Sequence, residues 1–260
     1  MANSTAGLKG DSYLAVINPA SICQLRSKTL SFTYSTYLFD LSFFGFSLGL
    51  PFNINKFAFN LMHLNLGDFK KTVTEGGEIT TENAGYQTAM ILSYSRNIMG
   101  INGKLFLSNL AGEKITSFCF DIGFLKEDVF IKNLSVGGVI QNIWFRIKYR
   151  NLSESMPLNF KIATSYLLNL RKNQIKFMFD LNVPSYYEIY SGIGTEFEYK
   201  IGKDFGLQLR AGYKINQDLG VLSGFTCGAG IKYFVFSLDY AFVNYDVLEN
   251  VNKITLSLKF

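Results

Sequence analysis

The stretch 234–260 constrains the fold most. Phe234, Phe236, Leu238, Tyr240 and Phe242 alternate there with Val235, Ser237, Asp239, Ala241 and Val243. After a turn, Ile254, Leu256, Leu258 and Phe260 alternate with Lys253, Thr255, Ser257 and Lys259. Period-two alternation puts the apolar side chains on one face of a strand and the polar ones on the other. Phe260 closes the series in phase with the apolar face. Bare aromatic and aliphatic groups at a chain end suit water poorly. They suit a strand whose apolar face meets lipid and whose polar face lines a lumen.

Composition narrows how such a chain can enter a membrane. Of 260 residues, 25 are Phe and 15 Tyr, a high aromatic load, while charged residues make up only 17 %. No apolar run approaches the ~18 residues that a spanning helix needs. A membrane reading therefore requires a closed barrel, the non-helical architecture that pairs every backbone group internally. The net charge of +5 is spread along the chain, with no basic block for nucleic acid. Cys23, Cys119 and Cys227 are odd in number and far apart, which suits neither a disulfide framework nor a metal site. No cofactor is expected. Met1-Ala2-Asn3-Ser4-Thr5 has none of the features of a secretory signal. An outer-membrane reading thus expects the sequence to begin at the mature chain.

Residues 1–27 do not alternate. A short apolar segment, Tyr13 to Ile22, is broken at Asn18-Pro19 and followed by a helical turn. The expected division is a plug at 1–27 and a transmembrane β-barrel at 28–260. Strands are expected at 28–38, 41–51, 54–66, 86–96, 102–110, 114–125, 131–142, 157–169, 173–183, 187–201, 205–215, 222–232, 233–243 and 252–260. Fourteen is an even number, and most are long enough to cross hydrocarbon when tilted. The long gaps 67–85, 143–156, 216–221 and 244–251 all follow odd strands, and every gap after an even strand is five residues or fewer. That sorting matches a barrel with long outer loops, short inner turns and both chain ends on the inner side. The fold class is all-β: one antiparallel membrane barrel of about fourteen strands, with a short N-terminal plug in its lumen.

The inferred lumen face is polar. The tenth expected strand offers Glu188, Glu196, Glu198 and Lys200 with Gly192 and Gly194 between; the eleventh offers Gln208, Arg210 and Lys214. Lys176, Asp180 and Asp239 join them. Two readings stay open: a structural network of charges paired across strands, or a ligand-guiding role in which Arg210 or Lys214 holds a carboxylate. Catalysis is not expected. The single histidine, His63, is in phase with Phe57, Phe59 and Leu61, the lipid face, and has no serine motif or acidic partner beside it. The Glu196/Glu198 pair arises from simple alternation. No glycine-rich phosphate loop is present.

The terminal aromatic resembles the last strand of bacterial outer-membrane barrels, which their assembly machinery reads; Phe260 would be that signal. Two longer stretches resemble the PorV/PorQ family, a branch of the FadL-like outer-membrane proteins. One is "SNLAGEKITSFCFDIGF" with "LSVGGVIQNIW"; the other comprises "FGLQLRAGYKIN", "GAGIKYFVFSLDYAF" and "ITLSLKF". "GDSYLAVINPASI" is similar to that family's plug motif, with Asn18, Pro19 and Ala20 matching and Ser21 in place of Gly. The resemblance implies a fourteen-stranded barrel in the bacterial outer membrane with its N-terminus in the lumen. FadL-like members admit hydrophobic molecules such as fatty acids. PorV-like members act in type IX secretion, carrying or anchoring a secreted or surface protein. The expected partners are therefore membrane lipid, the barrel assembly machinery, and either a small hydrophobic molecule or a cargo protein.

Overall fold

The computed structural model describes residues 5–37, 41–72, 79–143, 146–149, 152–155, 158–202, 204–215, 224–244 and 250–260. Fourteen antiparallel strands close into one barrel. In chain order they are β1 (Thr29–Thr36), β2 (Ser42–Phe52), β3 (Asn55–Asn65), β4 (Gly85–Arg96), β5 (Met99–Leu110), β6 (Glu113–Lys126) and β7 (Leu134–Ile143). Then come β8 (Asn159–Leu170), β9 (Asn173–Pro184), β10 (Tyr190–Ile201), β11 (Phe205–Ile215), β12 (Phe225–Tyr233), β13 (Phe236–Val243) and β14 (Val251–Lys259). Every strand pairs with its sequence neighbours, and β1 closes on β14 from Thr29 opposite Lys259 to Thr36 opposite Asn252. The seam continues past the strands: Lys28 donates its N–H to the Phe260 carbonyl at 2.9 Å, and Phe260 donates back to Lys28 at 3.0 Å. Closure removes the open edge that hydrocarbon does not tolerate.

The alternation read from the sequence becomes an inside and an outside. On β6, Ser117, Cys119 and Asp121 are buried while Phe118, Phe120, Ile122 and Phe124 are exposed. The same split runs round the wall, with Phe32, Leu92, Ile162, Phe177, Leu209 and Leu256 outward. The chain is a membrane-spanning β-barrel, because an apolar outer wall with a polar, filled interior is stable only in lipid.

Differences from expectation lie at the turns. The twelfth and thirteenth strands were expected to abut; Phe234 and Val235 instead form a turn between β12 and β13. Phe234 takes a left-handed φ of 51°, which bulky residues rarely adopt, so nothing in the local sequence marks it. The connection after β6 runs 127–133 rather than 126–130, the longest on the side of the chain ends. Two expected loops carry hairpins of their own, Asp68–Thr72 with Ile79–Asn83 and Arg146–Tyr149 with Leu152–Ser155. The expected loop residues 73–78, 144–145, 150–151, 156, 216–221 and 245–249 lie outside the described residues, as do 222–223 at the start of the twelfth expected strand and Met1–Ser4 of the expected plug.

Leu209 sits mid-strand and 60 % exposed on the lipid side. Leu209→Arg should lower barrel stability by about 2–4 kcal/mol in urea titrations from lipid vesicles. An unchanged midpoint would mean that this face meets water.

Candidate functional site

Residues ahead of β1 fold against the inner wall. Two short 3₁₀ helices, Ser12–Val16 and Pro19–Gln24, are each started by an acceptor side chain. Asp11 accepts from the Tyr13 N–H at 2.9 Å, and Asn18 from the Ala20 N–H at 3.0 Å, with Pro19 in the first helical turn, where its missing N–H costs nothing. Ala6, Ser12, Ala15, Asn18, Ala20, Ser21 and Ile22 are fully buried.

Such a leader has backbone carbonyls that helices of this length cannot satisfy. The barrel satisfies them from most of its circumference. Asn60 on β3 donates to the Ser12 carbonyl at 3.3 Å, and Asn102 on β5 to that of Ala15 at 2.8 Å. Gln141 on β7 donates to Ile17 at 2.9 Å and Ser165 on β8 to Gly7 at 2.8 Å. Asp180 on β9 accepts the N–H groups of Thr5 and Ala6, both at 3.0 Å. Ser12 also takes the hydroxyls of Thr29 and Ser47, at 2.9 and 2.7 Å. Asn18 clamps the fold by donating to the Ala6 carbonyl at 3.0 Å and to the Phe124 carbonyl of the wall at 3.2 Å. The wall leaves room for this clamp at two glycines. A Cβ on Gly123 would strike the Asn18 amide, and one on Gly100 the Pro19–Ala20 backbone. At the rim, Glu127 accepts from Gln24 at 2.6 Å and pairs with Lys9.

The leader's wall contacts fall on β1–β9 and β14. Across the bore, β9–β13 carry an ion-pair network in the half nearer the chain ends. Glu196 lies 2.6 Å from Lys176 and 2.7 Å from Arg210, and Arg210 also pairs with Asp239. Arg210 donates to Gln208 at 2.6 Å; Glu198 meets Lys232 at 3.3 Å and accepts from Gln208 at 3.4 Å. The register sets this directly, since Glu196 faces Arg210 and Glu198 faces Gln208 across β10 and β11. Of the lumen candidates, Glu196, Arg210 and Asp239 meet, and Glu198 joins through Gln208. Lys214 instead has its ammonium 4.3 Å from the centre of the Tyr190 ring. A second buried pair, Lys104 and Asp121 at 2.6 Å, braces Asn102 beneath the leader.

Above the leader, toward the end away from the termini, the lumen changes character. Phe43, Met62, Leu64, Ala89 and Phe106 share the inner face of β2–β5, as the pairings Phe43–Leu64, Gly45–Met62, Met62–Ala89 and Ala89–Phe106 require. Lys253 ties this wall to the leader: its ammonium lies 5.8 Å from the Phe43 ring and 4.7 Å from that of Tyr13, and donates to the Tyr13 hydroxyl at 3.3 Å. Sequence reasoning missed this apolar wall because β2 is apolar on both faces, which hides which set points inward. His63 pairs with Thr88 at 2.9 Å and lies against the Tyr86 ring, on the outward face. Phe260 is 64 % exposed at the end of the closing seam.

No family model matches the sequence, and no curated protein does. Solved structures do. A CymD monoaromatic hydrocarbon channel superposes with TM-score 0.58 at 12 % identity, over 98 % of this chain and 94 % of that one. The Ralstonia pickettii toluene transporter TbuX gives 0.58 at 11 %, over 98 % and 96 %. The Pseudomonas putida toluene transporter TodX gives 0.59 at 10 %, over 98 % and 94 %. The likeness is one of fold. It does not reach the PorV/PorQ branch of the resemblance read from the sequence.

Asn18→Ala removes the clamp and leaves two carbonyls unserved, a loss of about 1–3 kcal/mol. Burial pushes the Cys23 thiol above its ordinary value, so little of it is thiolate at pH 8. Loosening the leader removes that burial, lowers the pKa and raises the thiolate fraction. Maleimide labelling of Cys23 in a Cys119→Ser, Cys227→Ser background should be slow and should accelerate severalfold with Asn18→Ala. Equal rates would mean that Asn18 does not hold the leader.

Proposed function

We propose that the chain is an outer-membrane channel for small hydrophobic molecules, closed by residues 1–27 acting as a plug. One observation carries the reading: an apolar wall in the outer lumen ends directly on a folded leader, inside a barrel with the fold of hydrocarbon channels. A hydrophobic solute leaves water for the surface around Phe43, Met62 and Phe106 because burying apolar area is favourable, at roughly 25 cal/mol per Å². Its way onward is blocked on one side by the leader and on the other by the Glu196–Arg210–Asp239 network. These two blocks differ in kind. The network's members all sit on wall strands that the closed ladder fixes in place. The leader belongs to no strand and, among the described residues, is joined to the wall only through side-chain contacts, about 0.5–1.5 kcal/mol for each neutral hydrogen bond and more for those onto the Asp180 and Glu127 carboxylates. The leader is therefore the part that yields, with Asn18, Pro19 and Ala20 at its pivot, and the network is the fixed floor. In this reading Glu196, Glu198, Arg210 and Asp239 fill the bore and do not handle substrate. Phe260 acts as the assembly signal.

Deleting residues 2–20 should raise the permeability of barrel-bearing liposomes to a small hydrophobic solute such as toluene, and to small ions. Phe43→Asp should cut toluene flux severalfold without opening the ion leak. Unchanged leakage in the deletion would rule out a gating plug. The finer assignment, a PorV/PorQ-type anchor for a type IX cargo acting through the 67–85 loop, rests on the sequence motifs alone. Loss of cargo capture on trimming that loop, with toluene flux absent throughout, would favour it.

A further inference from the structure

The lipid-facing wall is uneven. On β2–β6, in the half nearer the chain ends, an apolar depression of about 430 Å³ opens to the outside. Its floor is Gly103 on β5, paired with Leu92 on one side and Phe120 on the other. Leu48, Phe57 and Ile101 complete its sides. A Cβ on Gly103 would meet only the edge of the Phe120 ring, at 4.0 Å. Gly138 on β7 also faces outward, but there the Phe124 ring already fills the space a Cβ would take. One outward glycine is thus covered by protein and the other is left open.

The same column ends in polar groups suited to a membrane surface. Below Leu92 on the outer face of β4 come Tyr94 and then Arg96, the last strand residue before the turn. The Tyr94 hydroxyl donates to Asn55 at 2.9 Å, an aromatic with an apolar body and a wet tip, as membrane interfaces favour. Arg96 is exposed and makes no ion pair among the described residues. From Arg96 to Leu92 is about 13 Å along the strand, or ~10 Å of membrane depth at the usual tilt. That is the span from a headgroup phosphate to the upper part of an acyl chain.

We propose that this groove is a site for one phospholipid with an anionic headgroup, from the leaflet on the side of the chain ends. Its acyl chain lies over Gly103 between Leu92 and Phe120, and its phosphate sits on the Arg96 guanidinium, whose planar fork matches phosphate oxygens. Phosphate supplies the counter-charge that Arg96 lacks among the described residues, and the acyl chain supplies the hydrocarbon that Gly103 leaves out.

The test is native mass spectrometry of the full chain in detergent, titrated with phosphatidylglycerol or phosphatidylcholine. Retained heat-modifiable gel mobility confirms that each variant is folded. The wild type should keep one phosphatidylglycerol per barrel. Gly103→Phe should lower its affinity for both lipids by about tenfold. Arg96→Gln should remove the preference for phosphatidylglycerol while phosphatidylcholine still binds. Ala229→Phe, which adds a ring to the opposite outer wall, should change neither. Equal lipid retention in wild type and Gly103→Phe would overturn the site. So would a dimer lost in Gly103→Phe, which would make a second copy the occupant.

Discussion

Everything in this molecule depends on the closed antiparallel ladder. Within hydrocarbon an unpaired N–H or C=O costs several kcal/mol, so the wall has to return to its own start. The β1–β14 pairing and the reciprocal bonds between Lys28 and Phe260 accomplish this. Once closed, side-chain alternation sends one set of each strand to lipid and the other to the bore; the exception is an irregularity on β7, where Gln141 and Asn142 both meet inward partners. A one-residue slip of β6 would turn Phe118 inward and Asp121 outward.

Closure creates a second requirement inside. The bore must be filled or wetted, and two solutions divide it. Where the wall offers amides and hydroxyls, such as Asn60, Asn102, Gln141 and Ser165, these serve the carbonyls of a leader too short and irregular to serve itself. On β9–β13, Lys176, Glu196, Arg210 and Asp239 pair with one another and need no leader, whereas the charges of Asp180, Glu127 and Lys253 are turned to it. The two halves of the filling thus follow from which partners each strand's polar side chains face.

The strand series was legible because period two survives in nearly every strand, and fourteen elements follow in the expected order. The inward polarity of β9–β13 was legible for the same reason, including Glu196, Arg210 and Asp239. Their partners were not, because pairing depends on register, and register depends on turns such as Phe234-Val235 that have no glycine or asparagine to announce them. The leader's segment could be read from Asn18-Pro19, but its seat could not. Gly100 and Gly123 look like any strand glycines until the fold brings Asn18 against them. β2 hid the apolar chamber in a different way: Phe43 points inward while Phe44 and Phe46 point out, and a run of aromatics has no visible phase.

The central claim is that the leader occupies the bore and must move for solutes to pass. Cysteines at Ser12 and Ser47, whose hydroxyls lie 2.7 Å apart, test it most directly in a background with Cys23, Cys119 and Cys227 replaced. Oxidation should form the crosslink nearly completely and stop toluene flux through reconstituted barrels, and reduction should restore it. A complete crosslink with undiminished flux, or no crosslink at all, would contradict the account.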